Sequence, residues 1–169
     1  MLRRLRENGP IVLVPLAWSF ATAAHLDLLA GRTVFIAHIV MVSIIAVFTL
    51  LSWQEMDTGI LLAWRRVLLA GFVLTLFGVV GLLADPQIRP LLSVTVVGWM
   101  LVPAAGLADT GRNIARRPRA YLGGAALSGL GALAYLGGLA LPLELLVLAG
   151  LTLTNVGQTV GIAAAVVDY

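Results

Sequence analysis

The residues of this sequence best suited to hold a cofactor are its two histidines, His25 and His38. They lie six residues before and seven residues after Gly31, so a helical hairpin with its apex at Gly31 places them at similar depth. Two imidazoles on neighbouring helices can ligate a b-type haem, if the helices stand apart, or share a metal with Asp27. A proton or substrate relay and two interfacial histidines with solvent or carbonyl partners are the alternatives. Haem b is therefore a candidate cofactor, but two histidines alone do not assign one.

A second polar group lies in the last apolar segment of the chain. Gln158 and Thr159 follow Asn155 by three and four residues, on one side of a helix, with Thr152 nearby. Amides at bilayer depth are costly, and they usually face a cavity or the protein interior. One interpretation is the wall of a small binding pocket. The other is hydrogen bonding between packed helices, which Asn and Gln commonly supply.

Missing residue types exclude several kinds of chemistry. The sequence has no cysteine, so disulfides, thiolate metal sites, iron–sulfur clusters and cysteine nucleophiles are excluded. It has no lysine either, which excludes Schiff-base chemistry and a P-loop lysine. The few acids share their loops with arginines or lie alone. An enzyme is therefore the least supported class of function.

Composition identifies the kind of fold that must hold these residues. Of 169 residues, 60% are hydrophobic and only 11% are charged, and the mean hydropathy is +1.02. A soluble domain is nearer half apolar and a quarter charged. We therefore predict an all-α integral membrane protein, with a single membrane domain over residues 1–169. Six apolar stretches are long enough to span a bilayer, at about 10–30, 33–53, 66–84, 90–108, 120–141 and 143–167.

Arginine positions predict the orientation of these spans. With the N-terminus inside, nine arginines fall on the inner side and two, Arg32 and Arg89, on the outer side. Such a bias follows the positive-inside rule and predicts that both termini are cytoplasmic, in a multi-pass protein of the cell membrane. The arginines lie between apolar runs, so we interpret them as topology signals and expect no nucleic-acid partner.

The sequence also suggests an internal repeat. Residues 69–78 and 148–157 are identical at six of ten positions, and Trp18 matches Trp99 in a weaker alignment of the first and fourth spans. The halves, about 10–84 and 90–167, each hold three spans, so the second half must be inverted in the membrane. Inverted repeats are typical of transporters that bind solute near the midplane. The repeat breaks at Asn155 and Gln158, which correspond to Leu76 and Val79.

Small residues and prolines predict how the helices pack. Glycines crowd span five, and Gly157 and Gly161 lie four residues apart on span six. Because small residues let membrane helices approach closely, we expect Gly124, Gly157 and Gly161 to bring spans five and six together. Pro15 and Pro103 lie inside spans one and four and are expected to kink them.

Three functions fit these observations. A compact six-helix plan with Ala17 and Ala21 at small-residue spacing on the first helix resembles the substrate-binding subunits of energy-coupling-factor importers. That resemblance implies solute binding and a partner contacted through the first helix; a carrier without a partner fits as well. The alternatives are a haem- or metal-binding electron-transfer protein using His25 and His38, and a structural subunit of a larger complex. The lipid bilayer is the expected environment, with a homo-oligomer or larger membrane complex as further partners.

Overall fold

A computed structural model describes residues 2–114 and 116–168, and throughout these ranges the secondary structure is helical, with no strand. The six helices are α1 (Leu2–His25), α2 (Gly31–Leu51), α3 (Gly59–Leu83), α4 (Arg89–Asn113), α5 (Pro118–Ala140) and α6 (Glu144–Asp168). Helices α2 to α6 are long and apolar enough to cross a membrane, and the apolar part of α1, Gly9–His25, is shorter. The predicted all-α fold of six membrane-type helices is confirmed.

Helix ends differ from the predicted spans where local backbone chemistry intervenes. The first helix ends at His25 rather than near residue 30. Asp27 adopts a left-handed conformation with φ 53°, and the Leu28 amide donates to the carbonyl of Ala23 (3.0 Å). This pattern closes a helix by satisfying its last carbonyls. The turn therefore occupies residues 26–30, and Gly31 begins α2 instead of forming the apex of the hairpin.

The helices pack in the order α2, α3, α4, α5, α6, α1, and α4 also touches α6. A buried apolar cluster joins α1, α4, α5 and α6; its members are Trp18, Met100, Ala132, Tyr135, Val147 and Leu151. Helix α1 thus packs on α6 and not on its neighbour in sequence. Helix α2 lies at the edge of the bundle, where only Ile45 and Thr49 are buried.

Helices α5 and α6 approach most closely through glycines. A Cβ atom added at Gly157 would lie 2.6 Å from the carbonyl oxygen of Gly124, closer than real contacts allow. Gly161 is similarly tight, but against the Leu107 side chain of α4. A larger residue at Gly157 would therefore push the backbones of α5 and α6 apart, whereas at Gly161 the Leu107 side chain would have to shift.

Two helix pairs have related contacts. Trp18 of α1 donates its indole N–H to a side chain of α6, and Trp99 of α4 donates its indole N–H to Thr75 of α3 (3.1 Å). In the suggested repeat, α1 corresponds to α4 and α6 corresponds to α3. The contact of α1 with α6 is therefore the counterpart of the contact of α4 with α3. The inverted repeat and the placement of both termini in the cytoplasm stay predictions, so the two ends of the bundle are distinguished here by composition. The arginine-rich end carries the connections α2–α3 (residues 52–58) and α4–α5.

Candidate functional site

The side-chain amide of Gln158 is the centre of a polar cluster in the bundle core. Its Oε1 accepts a hydrogen bond from Trp18 Nε1 of α1 (2.9 Å). Its Nε2 donates to the carbonyl of Trp99 on α4 (2.9 Å) and to Ser128 Oγ on α5 (3.1 Å). Because the side chain is only 3% exposed, these bonds replace the water that the amide loses on burial. Gln158 thereby links four helices through one group.

Pro103 explains why the cluster forms at this height. A proline has no N–H, so the carbonyl four residues earlier, that of Trp99, lacks its partner within α4. Gln158 supplies that partner, and Ser128 Oγ donates to the next carbonyl, that of Met100 (2.7 Å). Side chains of neighbouring helices commonly satisfy carbonyls freed by proline inside membranes. The cluster therefore compensates the interruption of α4, a role that corresponds to the packing interpretation of Gln158.

Asn155 and Thr159 lie one turn apart on the flank of α6 beside this cluster. Thr159 Oγ1 donates to Asn155 Oδ1 (3.2 Å), and both side chains are half-buried. The Asn155 amide nitrogen has no hydrogen-bond acceptor among the residues that the structure describes. Thr152 differs, because it is exposed and its hydroxyl donates to the Leu148 carbonyl of its own helix (2.8 Å). Asn155 is thus the member of the predicted set with spare donor capacity.

The half-buried His25 forms a pair with the buried Tyr135 of α5. Its Nδ1 lies 2.8 Å from the Ala21 carbonyl, so this nitrogen carries the proton, and Nε2 accepts from the Tyr135 hydroxyl (2.9 Å). The rings meet edge to face with centroids 5.5 Å apart. His25 follows Trp18 by seven residues, and Tyr135 follows Ser128 by seven. Two helical turns, or about 10 Å, therefore separate this pair from the Gln158 cluster.

His38 lies elsewhere, between α2 and α3. Its Nδ1 is 2.9 Å from the Val34 carbonyl of its own helix, and a Cβ atom at Gly78 of α3 would lie 2.7 Å from its Nε2. The hydrogen bonds and ring contacts of the described residues do not join the two imidazoles. No group of three His, Cys, Asp or Glu in those residues has the arrangement of a metal site. Ligation of haem or metal by His25 and His38 stays a prediction.

Sequence reasoning did not single out Ser128 and Tyr135 as polar partners. The signal that could have found them is their spacing of seven residues on α5, which repeats the spacing of Trp18 and His25 on α1. Residues seven positions apart lie on the same face of a helix. Two helices with such polar faces can therefore pair at two heights in the bundle. The pairing itself depends on α1 and α5 meeting across the core, which the order of helices along the chain does not suggest.

The arrangement is uncharged and rich in hydrogen-bonding groups. Within the described helices, arginines and acids lie toward the ends. The polar groups around Gln158 and along its flank are amides, hydroxyls, an indole and an imidazole. Such a site can bind a neutral polar group or anchor helices, but it does not hold an ion pair. No protein-family model, curated protein or solved structure matches this chain.

Proposed function

We propose that the protein is a small solute transporter, or a membrane-embedded solute-binding subunit, whose ligand is a neutral molecule held by hydrogen bonds beside α6. The observation that carries this proposal is the half-buried Asn155 with an unused amide donor. Asn155 lies eleven residues into α6, about 16 Å along a helix axis, and thus near the middle of a hydrocarbon core about 30 Å thick. An amide N–H at that depth without an acceptor is costly, and a polar ligand that accepts from it removes that cost.

Neighbouring groups support the same location. Asn155 is displaced by 60° around α6 from Gln158, whose amide bonds to Trp18 of α1. The ligand site would therefore lie along the seam between α1 and α6, next to an aromatic side chain that can pack on the apolar part of a solute. The His25–Tyr135 pair lies further along the same seam. Gln158 holds the wall of the site, and Asn155 and Thr159 contact the solute.

A neutral solute is favoured because the seam offers no charge to balance an ion. An unpaired charge in this part of the bundle would keep its full desolvation cost. Amides, ureas and small polyols carry both donors and acceptors, which match the Asn155 nitrogen and the Thr159 hydroxyl. We therefore assign the substrate class as small uncharged molecules with amide-like or hydroxyl groups.

Proteoliposome permeation tests the proposal. Stopped-flow light scattering would follow swelling under inward gradients of acetamide, urea and glycerol, with protein-free liposomes as the baseline. We expect wild type to pass at least one of these solutes faster than the baseline, and Asn155→Leu to lose that excess. Thr152→Val is the matched control, since its hydroxyl bonds only to its own helix. Baseline rates for all three solutes, or an unaffected Asn155→Leu, would overturn the proposal.

A role as an assembly subunit is the second candidate, and the position of α2 favours it. Helix α2 packs mainly on α3, and in it only Ile45 and Thr49 are buried, so most of its surface is left to lipid or to another protein. A copy of the same chain or a different membrane protein could cover that face within the lipid plane. Mass measurement of the complex purified in mild detergent tests this role: a stoichiometric partner or dimer supports it, and a lone monomer contradicts it.

A further inference from the structure

A groove runs between α3 and α4 in the half of the bundle next to the arginine-rich end. It has a volume of about 320 Å³. Apolar residues line it and form its floor, and most of them are small: Ala63, Val67 and Ala70 on α3, and Val102, Ala105 and Gly106 on α4. The charged side chains of the lining are Arg66 and Asp109, and we call their side of the groove its mouth. The floor residues of each helix are within seven positions of one another, which corresponds to about 10 Å of length. We refer to it as the α3–α4 groove.

Close packing beneath the floor explains why the groove persists. A Cβ atom at Gly106 would lie 2.9 Å from Val67 Cγ2, so the two helices touch here and leave a channel above the contact. Trp64 Nε1 of α3 donates to Thr110 Oγ1 of α4 (3.0 Å) and fastens the helices near the mouth. Ala105, on the opposite side of α4 from the buried Met100, is exposed. The groove therefore faces the surroundings of the bundle and is separate from the Gln158 cluster.

The charges at the mouth are of opposite sign and are not paired with each other. Arg66 is exposed and Asp109 is half-buried, and within the described part of the chain the Asp109 carboxylate is hydrogen-bonded to Asn113. Asn113 Nδ2 lies 3.3 Å from Asp109 Oδ1 and holds the carboxylate in place. The adjacent Arg65 is engaged, since its guanidinium stacks on Trp53 at 4.6 Å. The mouth thus offers one free cation beside one fixed anion.

We propose that the α3–α4 groove binds a phospholipid whose headgroup carries both a phosphate and a primary ammonium, as in phosphatidylethanolamine. One acyl chain lies on the alanine and glycine floor. The Arg66 guanidinium donates to the phosphate, a pairing for which its planar fork is suited, and the ammonium donates to the Asp109 carboxylate. Basic pockets between membrane helices recognise headgroups in this way. Charge complementarity selects the occupant: a purely anionic headgroup would face Asp109, and choline has no N–H to donate.

Native mass spectrometry of the delipidated protein tests the proposal directly. The protein would receive equal amounts of phosphatidylethanolamine, phosphatidylcholine and phosphatidylglycerol with identical acyl chains. We expect wild type to retain the ethanolamine lipid about tenfold better than the choline lipid, as one charge-assisted hydrogen bond can provide. Asp109→Asn should abolish that preference, and Arg66→Gln should lower retention of all three lipids. Equal retention of the ethanolamine and choline lipids by wild type, or a preference for the glycerol lipid, would overturn it.

Filling the floor gives a second test that leaves the charges intact. Ala105→Leu places a larger side chain in the groove, and we expect it to lower retention of all three lipids about tenfold. Ala126→Leu makes the same change at an exposed position on α5 and should retain lipid like wild type. Equal retention by the two variants would contradict the groove as the site. Asn155→Leu should not alter the lipid ranking, so this proposal and the proposed transport function can fail separately.

Discussion

Removing the Gln158 amide should destabilise the bundle by an amount that depends on Pro103. In Gln158→Leu, four interhelical hydrogen bonds are lost: those to Trp18, to Ser128 and to the carbonyls of Trp99 and Met100, the last a long one at 3.4 Å. At the average of about 0.6 kcal/mol per bond between membrane helices, the loss is about 2 kcal/mol. The Trp18 N–H and the Trp99 carbonyl are also left unpaired, at about 1–3 kcal/mol each. Together these terms predict that the free energy of unfolding falls by about 4–8 kcal/mol.

Pro103→Ala separates this explanation from a general packing defect. Alanine restores an N–H that can donate to the Trp99 carbonyl within α4, so that carbonyl no longer needs Gln158. The cost of Gln158→Leu should then be smaller by about 1 kcal/mol in the Pro103→Ala background. Unfolding titrated with dodecyl sulfate in mixed micelles, followed by tryptophan fluorescence, measures all four corners of this double-mutant cycle.

The control for the cycle is Thr152→Val, whose hydroxyl bonds to its own helix and whose loss should cost less than about 0.5 kcal/mol. Independent sites add to within about 0.3–0.5 kcal/mol. Additivity of Gln158→Leu and Pro103→Ala within that range would refute the inference that the glutamine compensates the proline.

Three further predictions follow from the packing, the orientation and the histidines. Gly157→Ala should destabilise the protein by about 1–3 kcal/mol, because its Cβ would lie 2.6 Å from a carbonyl of α5, whereas Gly123→Ala meets nothing within 4 Å and should be neutral or stabilising; equal losses of Tm would contradict this. In intact cells a membrane-impermeant maleimide should label Gln87→Cys but not Gln54→Cys, which are exposed at opposite ends of the bundle; the reverse pattern would invert the predicted topology. If the two histidines ligate haem b, the purified protein should have a Soret band that is lost on alanine substitution of either one, and a colourless preparation from haem-supplemented cells would refute haem binding.

The composition predicts the helices well because each span needs only a long apolar run between polar breaks. The length of α1 was less predictable, since the turn after His25 depends on the left-handed Asp27. Helix neighbours were harder still. The predicted hairpin contact of His25 with His38 assumed that helices adjacent in sequence pack together, but α1 packs on α6. Contacts between residues far apart in sequence are decided by the shapes of the whole helix surfaces, which periodicity alone does not reveal.

At the candidate site too, the sequence shows which residue types are present but not which residues they contact. The Gln158 amide and the Pro103 interruption are each visible in the sequence, yet they are 55 residues apart. Their connection follows only once α4 and α6 are in contact. Among the four polar residues predicted on α6, sequence spacing does not distinguish a saturated amide from one with a free donor. The Gln158 amide is saturated because side chains and carbonyls of three other helices reach it. The Asn155 amide is bonded only to Thr159 of its own helix.

Unequal attachment of the helices indicates where the bundle would open to admit a solute. Glycine contacts bring the backbones of α5 and α6 together, and a large rearrangement there would disturb many close contacts at once. Helix α1 is attached to this pair by side-chain bonds, through Trp18 to Gln158 and through His25 to Tyr135. Each of these bonds is of a kind that contributes about 1 kcal/mol, and Trp18 also packs in the buried apolar cluster. Movement of α1 therefore breaks these two bonds and this side-chain packing, but no close contact between backbones. Asn155 lies about 60° around α6 from Gln158, which α1 contacts through Trp18. If Asn155 binds the proposed solute, we expect that solute to reach it by displacement of α1 rather than by separation of α5 from α6.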